Sequence, residues 1–550
     1  GSTQTICTDD SWRSSRNSPY LKTDNQNGET YDARKEQDGW KRISFDDTDW
    51  DGTHTATKET TETTVDISTV TLQPSTTAVV QKAQIKPVSV TKLNDKYIID
   101  MGQNFAGNLK LSLTGKAGQT IRLRYGEILY DEATPELQGN LYTGNMRTAH
   151  AVDFYTFKND QPCTYMPIFT YHGFRYAEIT GYDGPLDADD ITGIVLSQNI
   201  DYFGAIETGN AQINQLFQNT MWSQLSNFIS VPTDCPQRDE RQGWTGDAHI
   251  FAKTAAYNAD TLNFLTKYLD DVARTQREDG CISTYAPNYT IYGNRASAGW
   301  GDVAVILPWI LYTTYGSNSV LQRYYDMMAG WINYQVSQSN YESDGTYIIP
   351  TCQYGDWLSI NETSPKDVVA TEFFAYSLSL MQKTATVLNK SADAQKYANM
   401  LAKTKADFTN AYVSDGRITG DTQTVYVLAL AFGIADENAQ AFADRLADKI
   451  IANDYHLTCG FMGISYLCPV LSRYGYSDLA YALVLQDTFP SWGYSIANGA
   501  TTIWESWNAY INGKGMPSLS LNHYSYGSVV AWMYENMCGI QQDEADGGYH

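Results

Sequence analysis

Asp234, Arg238, Asp239, Glu240, Arg241, Trp244, Asp247 and His249 fall within sixteen consecutive residues. This is an unusual density of groups able to move protons or grip hydroxyls. A carboxylic acid that must keep its proton near neutral pH needs burial or like charges beside it, because both disfavour ionisation. Asp234, Asp239 and Asp247 could do this for Glu240. That makes Glu240 a candidate general acid for glycoside hydrolysis, in which a carboxyl group protonates the leaving oxygen. Charge density alone also describes a solvated loop of local ion pairs. Pro236, Gly243, Gly246 and Trp244 favour the chemical reading, since they fix a loop path and supply a stacking face.

Such chemistry needs a second carboxylate, and Glu505 is the best candidate. It stands between Trp504 and Trp507 in the segment Gly499 to Asn508, where flanking indoles would desolvate it. The bland alternative is a surface glutamate between two core tryptophans. Further pairs of aromatic and acidic residues follow the same grammar of stacking plane plus hydroxyl acceptor: Trp300 with Asp302, Tyr354 and Trp357 around Asp356, and His523 with Tyr524.

Composition narrows the partners. The net charge of -24 opposes phosphate backbones, so no nucleic-acid partner is expected, and neutral substrates fit better than polyanions. Aromatic residues make up 13% of the chain, forty of them tyrosines, and such half-polar rings suit both cores and sugar faces. Eight cysteines are scattered without a CxxC pair, which suggests neither a zinc site nor a redox motif. No apolar run reaches the roughly 18 residues of a membrane span. The opening Gly1-Ser2 carries no visible targeting signal, so extracellular, periplasmic and cytoplasmic locations all stay open.

The elements that must position these groups divide into two kinds. Up to about Ile200 the apolar period is two, as in Leu109 to Leu113 and Ile121 to Tyr125, which flank a Gly115–Gly118 turn suited to a hairpin. Val152 to Phe157, Phe169 to Tyr176 and Ile191 to Leu196 add strands. An antiparallel β region, a sandwich, is predicted. The Thr-rich stretch Thr53 to Thr71 reads as a linker or edge segment. From Asn210 the spacing turns helical, with Ile213, Leu216, Phe217, Met221, Leu225 and Phe228 on one face. Further helices are predicted over 260–276, 317–337, 370–388, 392–413, 422–432 and 437–453. About a dozen helices fit before residue 540, and a ring of α-hairpins is the economical architecture. In a closed ring the first and last hairpins are neighbours, so residues 240 and 505 could share one mouth. The division expected is 1–75 partial N-terminal β domain, 76–204 β-sandwich, 205–540 helical catalytic domain and 541–550 tail.

Val231 to Phe251 closely resembles the hallmark loop of bacterial α-L-rhamnosidases of glycoside hydrolase family 78. Asp100 to Gly107, Tyr171 to Arg175, Trp300 to Asp302, Tyr354 to Trp357, Gly499 to Asn508 and Asn522 to Tyr524 resemble family segments in family order, so the likeness covers nearly the whole chain. It implies an (α/α)6 barrel behind β-sandwich domains, an inverting reaction, Glu240 as general acid and Glu505 as the base that activates water. It also implies that Asp234, Arg238, Trp244, Asp247, Trp300, Trp357 and His523 hold the rhamnose ring. Asp302 and Trp504 are added as substrate-binding candidates from their clusters. No metal or organic cofactor is required, and the partner is a rhamnose-containing glycoside or oligosaccharide.

Two departures stand out. The chain stops at His550, where relatives commonly continue into a β-rich domain, and it begins inside what resembles an N-terminal sandwich. These departures leave the catalytic residues in place. The aglycone, the linkage, the oligomeric state and whether natural N- and C-terminal domains were trimmed are not readable from these residues. A helical-barrel hydrolase or phosphorylase for another hexose or deoxyhexose, and a non-catalytic carbohydrate-binding protein, remain the alternative readings.

Overall fold

The computed structural model describes residues 3–53, 78–289, 293, 295–434, 436–511, 515–543 and 547–549. The Thr-rich stretch read as a linker lies, from residue 54 onward, outside the described residues.

Ten strands join in one hydrogen-bonded sheet whose hub is the 18-residue strand Lys96–Leu113. Its first part pairs with Ser89–Leu93 and its later part with Ile191–Gln198 and Cys163–Tyr165. His172–Thr180 runs antiparallel beside it. The expected hairpin between Leu109–Leu113 and Ile121–Tyr125 does not form. His172–Thr180 lies between the two strands and pairs with both, so that each edge of this buried strand finds a backbone partner, as an interior strand requires. Among the described residues, pairing in this sheet is antiparallel apart from Val152–Thr156 with Gly28–Asp32. Phe105, Leu109, Leu111, Ile121, Leu123, Phe174 and Val195 fill the core of this region.

The helical part opens with Ala211–Asn227, whose N-cap Asn210 accepts from the Ile213 N–H. Helix Thr245–Asn258 packs on Val303–Tyr315, which packs on Lys366–Val387, and that on Gln423–Phe432. Gln423–Phe432 contacts Phe461–Arg473, which meets the short turns of Ser525–Met537, and these return to Thr245–Asn258. Leu262–Thr275, Ser319–Gln338, Ser391–Tyr412, Ala439–Ala452 and Ser477–Leu485 each lie against members of this cycle. The cycle brings the chain's last helical turns beside its first. Among the described residues no helix is long and apolar enough to cross a membrane.

All eight cysteines are free, so no disulfide crosslinks the chain.

Candidate active site

The loop after Ala211–Asn227 is stitched to itself. The Asp234 N–H donates to the Gln242 carbonyl (2.9 Å) and the Gln242 N–H donates back to Asp234 Oδ1 (2.7 Å). Cys235, Gln237 and Arg238 are buried inside the curl. Arg241 takes a positive φ of 57° and leaves the curl to stack over Tyr171 while donating to the Tyr171 and Asn25 carbonyls. The charged loop is thus a folded-in structure, not a solvated face. Helix Thr245–Asn258 begins directly after it, with Asp247 in its first turn. A Cβ on Gly246 would meet the Trp300 indole at 2.7 Å, so only glycine admits that ring.

Arg238 is the centre of the site. Its Nε and Nη2 donate to Glu240 Oε2 at 2.9 and 2.7 Å, and Nη1 and Nη2 donate to Glu505 Oε2 and Oε1 at 2.6 and 3.2 Å. The two carboxylates, 265 positions apart in sequence, therefore share Nη2, and their nearest oxygens are no more than about 6 Å apart. The first helix makes this meeting possible. Asn219 donates to the Ala500 carbonyl (3.0 Å) and the Ile503 N–H donates to Ser223 Oγ (2.8 Å), which anchors the Glu505 loop beside the helix that leads into the Glu240 loop. The Ser520 N–H completes the shell of Glu505 Oε2 at 2.8 Å.

The carboxyls differ in environment. Burial acts to raise Glu505, but the Arg238 charge and hydrogen bonds, His523 and the Ser520 N–H outweigh it and hold the group below its ordinary value of 4.5. Asp234 is displaced upward by burial and by the neighbouring Glu240, against Arg238. His523 Nε2 pairs with Asp247 at 3.0 Å. Burial opposes the charged imidazole, yet Asp247 holds it above its ordinary value.

One wall is aromatic. Trp244, Trp300 and Trp357 all touch Tyr354, with ring centroids 5.9, 4.6 and 5.7 Å away, and Trp244 also meets Tyr285. The Trp244 Nε1–H donates to Glu240 Oε1 at 3.0 Å. Trp357 is the most exposed of the three indoles and the one best placed to offer an open face.

Two expected site residues are not brought into this group. Asp302 is fully buried, and its carboxylate accepts from the Gly299 N–H, Trp331 Nε1, Gln335 Nε2 and Ser377 Oγ at 2.6–3.1 Å. It serves the helix core and is sealed from a sugar by its burial. Trp504 packs with Ala500, Ala509, Tyr510, Leu521 and Ile128 at the seam with the sheet region. Asp356 likewise spends its carboxylate on the Gly460, Met462 and Gly463 N–H groups and Thr424.

The sheet region supplies residues that no helical motif announced. Arg147 Nη1 donates to Glu240 Oε2 at 2.9 Å. Glu127 accepts from Asn104 and Asn145 side chains and from the Leu521 N–H (2.9 Å), next to the Ser520 that holds Glu505. Neither carries a signal in sequence, since neither lies in a cluster of its own.

Asp234, Cys235 and Glu240 place ligand-type atoms within 4.8 Å of one another. A divalent cation there would compete with the Arg238 guanidinium, which already bonds Glu240 and reaches Asp234 at 3.5 Å, and burial raises the Cys235 thiol well above its ordinary value, against thiolate formation. The positive charge of the site is the arginine's. A separate cavity of about 850 Å³ opens among the C-terminal halves of the cyclically packed helices, by Trp309, Tyr376, Lys383 and Tyr466. Its two carboxylates, Asp436 and Glu535, are paired with Lys405 and Lys253, so it holds no acid–base pair like that around Arg238.

Comparison with known proteins adds to this geometry. Residues 201–537 match the model of the bacterial alpha-L-rhamnosidase 6 hairpin glycosidase domain, 91–197 that of the bacterial alpha-L-rhamnosidase concanavalin-like domain and 1–92 that of the alpha-L-rhamnosidase N-terminal domain. The chain is 41% identical to an alpha-L-rhamnosidase of Streptomyces avermitilis over 99% of its own length and 51% of the relative's. It is 37% identical to one from Alteromonas sp., over 98% and 59%. The crystal structure of the Streptomyces avermitilis alpha-L-rhamnosidase complexed with L-rhamnose superposes with a TM-score of 0.91 at 39% identity, covering 98% of this chain and 51% of that one. An alpha-L-rhamnosidase from Dictyoglumus thermophilum gives 0.88 at 34%, covering 98% and 59%. The chain spans about half the length of the curated relatives it matches.

Proposed function

The chain belongs to the bacterial alpha-L-rhamnosidases of glycoside hydrolase family 78, and on that premise we propose that it is an exo-acting hydrolase that releases terminal α-L-rhamnose from glycosides or oligosaccharides with inversion. The observation that carries this reading is the meeting of Glu240 and Glu505 on one buried guanidinium beside an aromatic wall. The cyclic helix packing supports an (α/α)6 barrel over about residues 205–540, with the β-sandwich before it.

In this reading Glu240 gives its proton to the glycosidic oxygen as the bond to the anomeric carbon breaks. Glu505, held ionised by Arg238, His523 and the Ser520 N–H, takes a proton from the water that attacks the opposite face of that carbon. The first product is β-L-rhamnose, and the leaving group departs as the alcohol. Asp234, Arg238, Asp247 and His523 bind ring hydroxyls, while Trp244, Trp300 and Trp357 enclose the apolar face. An inverting pair stands roughly 6.5–9.5 Å apart to admit the water. The nearest oxygens of Glu240 and Glu505 are no more than about 6 Å apart, just short of that range, so the acid and base have to draw apart as substrate enters.

Release of 4-nitrophenol from its α-L-rhamnoside, against a panel of other aryl glycosides, tests the sugar. Proton NMR in the first minutes tests the stereochemistry: a β product supports inversion, and an α product overturns it. Turnover that depends on phosphate would instead identify a phosphorylase.

A further inference from the structure

Glu240 Oε2 carries two guanidiniums. Oε1 accepts from Trp244, and Oε2 accepts from both Arg238 and Arg147. A proton to be handed on from Oε2 needs one of those two guanidiniums to leave. Arg238 is 3% exposed and is tied to Glu505 as well, whereas the Arg147 side chain is 42% exposed. Moving Arg238 would leave the buried Glu505 charge without its partner, which is strongly unfavourable. Arg147 is therefore the donor that yields.

Its backbone shows that it is held there on purpose. Arg147 follows the short 3-10 turn Gly144–Met146 with φ 56° and ψ -115°, a left-handed conformation that a non-glycine residue adopts only when its surroundings impose it. Those surroundings are pins on either side. Asn145 donates to Glu127 Oε2 (2.7 Å) and to the Leu519 carbonyl (3.3 Å), Met146 is buried, and Thr148 donates to the Asp239 carboxylate through both its N–H (3.3 Å) and its hydroxyl. The sheet region thus presents a second guanidinium to the same oxygen of the acid that Arg238 holds.

The exposure of that guanidinium has a chemical meaning. In the functional reading the ring being cleaved sits between Glu240 and Glu505, and its leaving group extends outward from Glu240, where the Arg147 side chain is 42% exposed. Resting on the reading of Glu240 as general acid, we propose that Arg147 is a leaving-group recognition residue, which moves from Glu240 to the hydroxyls of a leaving sugar as substrate docks. A saccharide leaving group offers oxygen acceptors that replace the lost carboxylate contact, and a guanidinium meets them with several donors in a fixed fork. A 4-nitrophenyl leaving group offers only weakly accepting nitro oxygens at the far end of a flat ring. The sheet region then sets a preference for sugars as leaving groups, while the helical region sets the preference for the ring that is released.

The test compares kcat/KM for 4-nitrophenyl α-L-rhamnoside with that for a disaccharide in which α-L-rhamnose caps glucose, in wild type, Arg147→Ala and Arg147→Lys. The ratio of disaccharide to aryl kcat/KM is expected to fall about tenfold or more in Arg147→Ala, equivalent to about 1.4 kcal/mol. Arg147→Lys is expected to recover part of it, since an ammonium still donates to a hydroxyl. An unchanged ratio in Arg147→Ala, whether both rates fall together or neither does, overturns the proposal and leaves Arg147 as a mere brace for Glu240. Wild-type protein inert toward both rhamnosides overturns the functional reading itself, a result separate from any change in the ratio.

Discussion

Arg238 grips Glu505 with two donors, at 2.6 and 3.2 Å, and the same guanidinium reaches Glu240 Oε2 at 2.7 Å. Only a planar fork can serve both carboxylates from one buried position. Arg238→Lys keeps the charge but concentrates it on one atom at the end of a flexible stem. A charge-assisted hydrogen bond contributes about 1.5–3 kcal/mol, so kcat/KM on an aryl rhamnoside is expected to drop about 10- to 100-fold while the protein stays folded. A lysine variant with wild-type kcat/KM would show that the site needs only a cation.

Glu240→Gln and Glu505→Gln are each expected to cut turnover by about 100-fold or more, the usual share of acid or base assistance. The two should differ by leaving group. With a dinitrophenyl rhamnoside, whose alcohol is acidic enough to leave unaided, Glu240→Gln recovers most of its rate and Glu505→Gln does not. Equal losses on both substrates would remove the division of labour between them.

The sequence made some of this legible and hid the rest for physical reasons. Outer helices such as Leu262–Thr275 and Ala439–Ala452 bury one stripe, so their period of 3.6 stands out in the residues. Val303–Tyr315 and Phe461–Arg473 are buried on nearly every side and contain Pro308 and Pro469. A helix apolar all round has no stripe to read, and those members of the inner cycle were invisible as helices. The cluster from Asp234 to His249 was legible because its side chains are local to one another. Asp302 misled because an aspartate beside a tryptophan looks the same whether it faces a cleft or, as here, ties Trp331, Gln335 and Ser377 together. Arg147 and Glu127 were missed because their meaning arises only where the sheet region meets the helical loops.

Glu127 makes the stability of that meeting pH-dependent. Burial raises its carboxyl to about 7, against the stabilising Leu521 N–H, Asn104 and Arg238, whereas the unfolded group keeps an ordinary value of 4.5. Between about pH 4.5 and 7 the folded protein therefore holds a proton that the unfolded chain releases, and stability declines as pH rises through that window. Glu127→Gln cannot ionise and should flatten the decline. Denaturant midpoints for wild type and variant at pH 5 and pH 7.5 measure it. A parallel slope in both proteins would assign the effect to other groups.

Glu505 has the opposite sign. Its folded value is depressed, so its ion pair with Arg238 contributes fully above pH 4.5 and is lost as pH falls through the lower folded value. The acid limb of kcat/KM is accordingly expected below pH 4.5. Asn in place of His523 removes one of the positive groups that hold Glu505 down, and His523→Asn should move that limb upward. A limb that stays in place in the variant would mean that another group sets it.

Asp302 and Trp357 separate stability from binding. Removing the Asp302 carboxylate leaves the Trp331, Gln335, Ser377 and Gly299 donors without an acceptor inside the core. Each unsatisfied buried group costs about 1–3 kcal/mol. Asp302→Ala is thus expected to lose about 3 kcal/mol or more in denaturant unfolding, with KM of the folded fraction within about twofold of wild type. Trp357 is half-exposed and touches Tyr354 at its edge, so Trp357→Ala should change stability by less than about 1 kcal/mol. It removes a stacking face, and an aromatic contact of about 0.5–1.5 kcal/mol corresponds to a rise in KM of about 2- to 12-fold. The crossed outcome, a large KM change in Asp302→Ala with stability retained, would mean that the aspartate reaches the sugar and that its four core hydrogen bonds are dispensable.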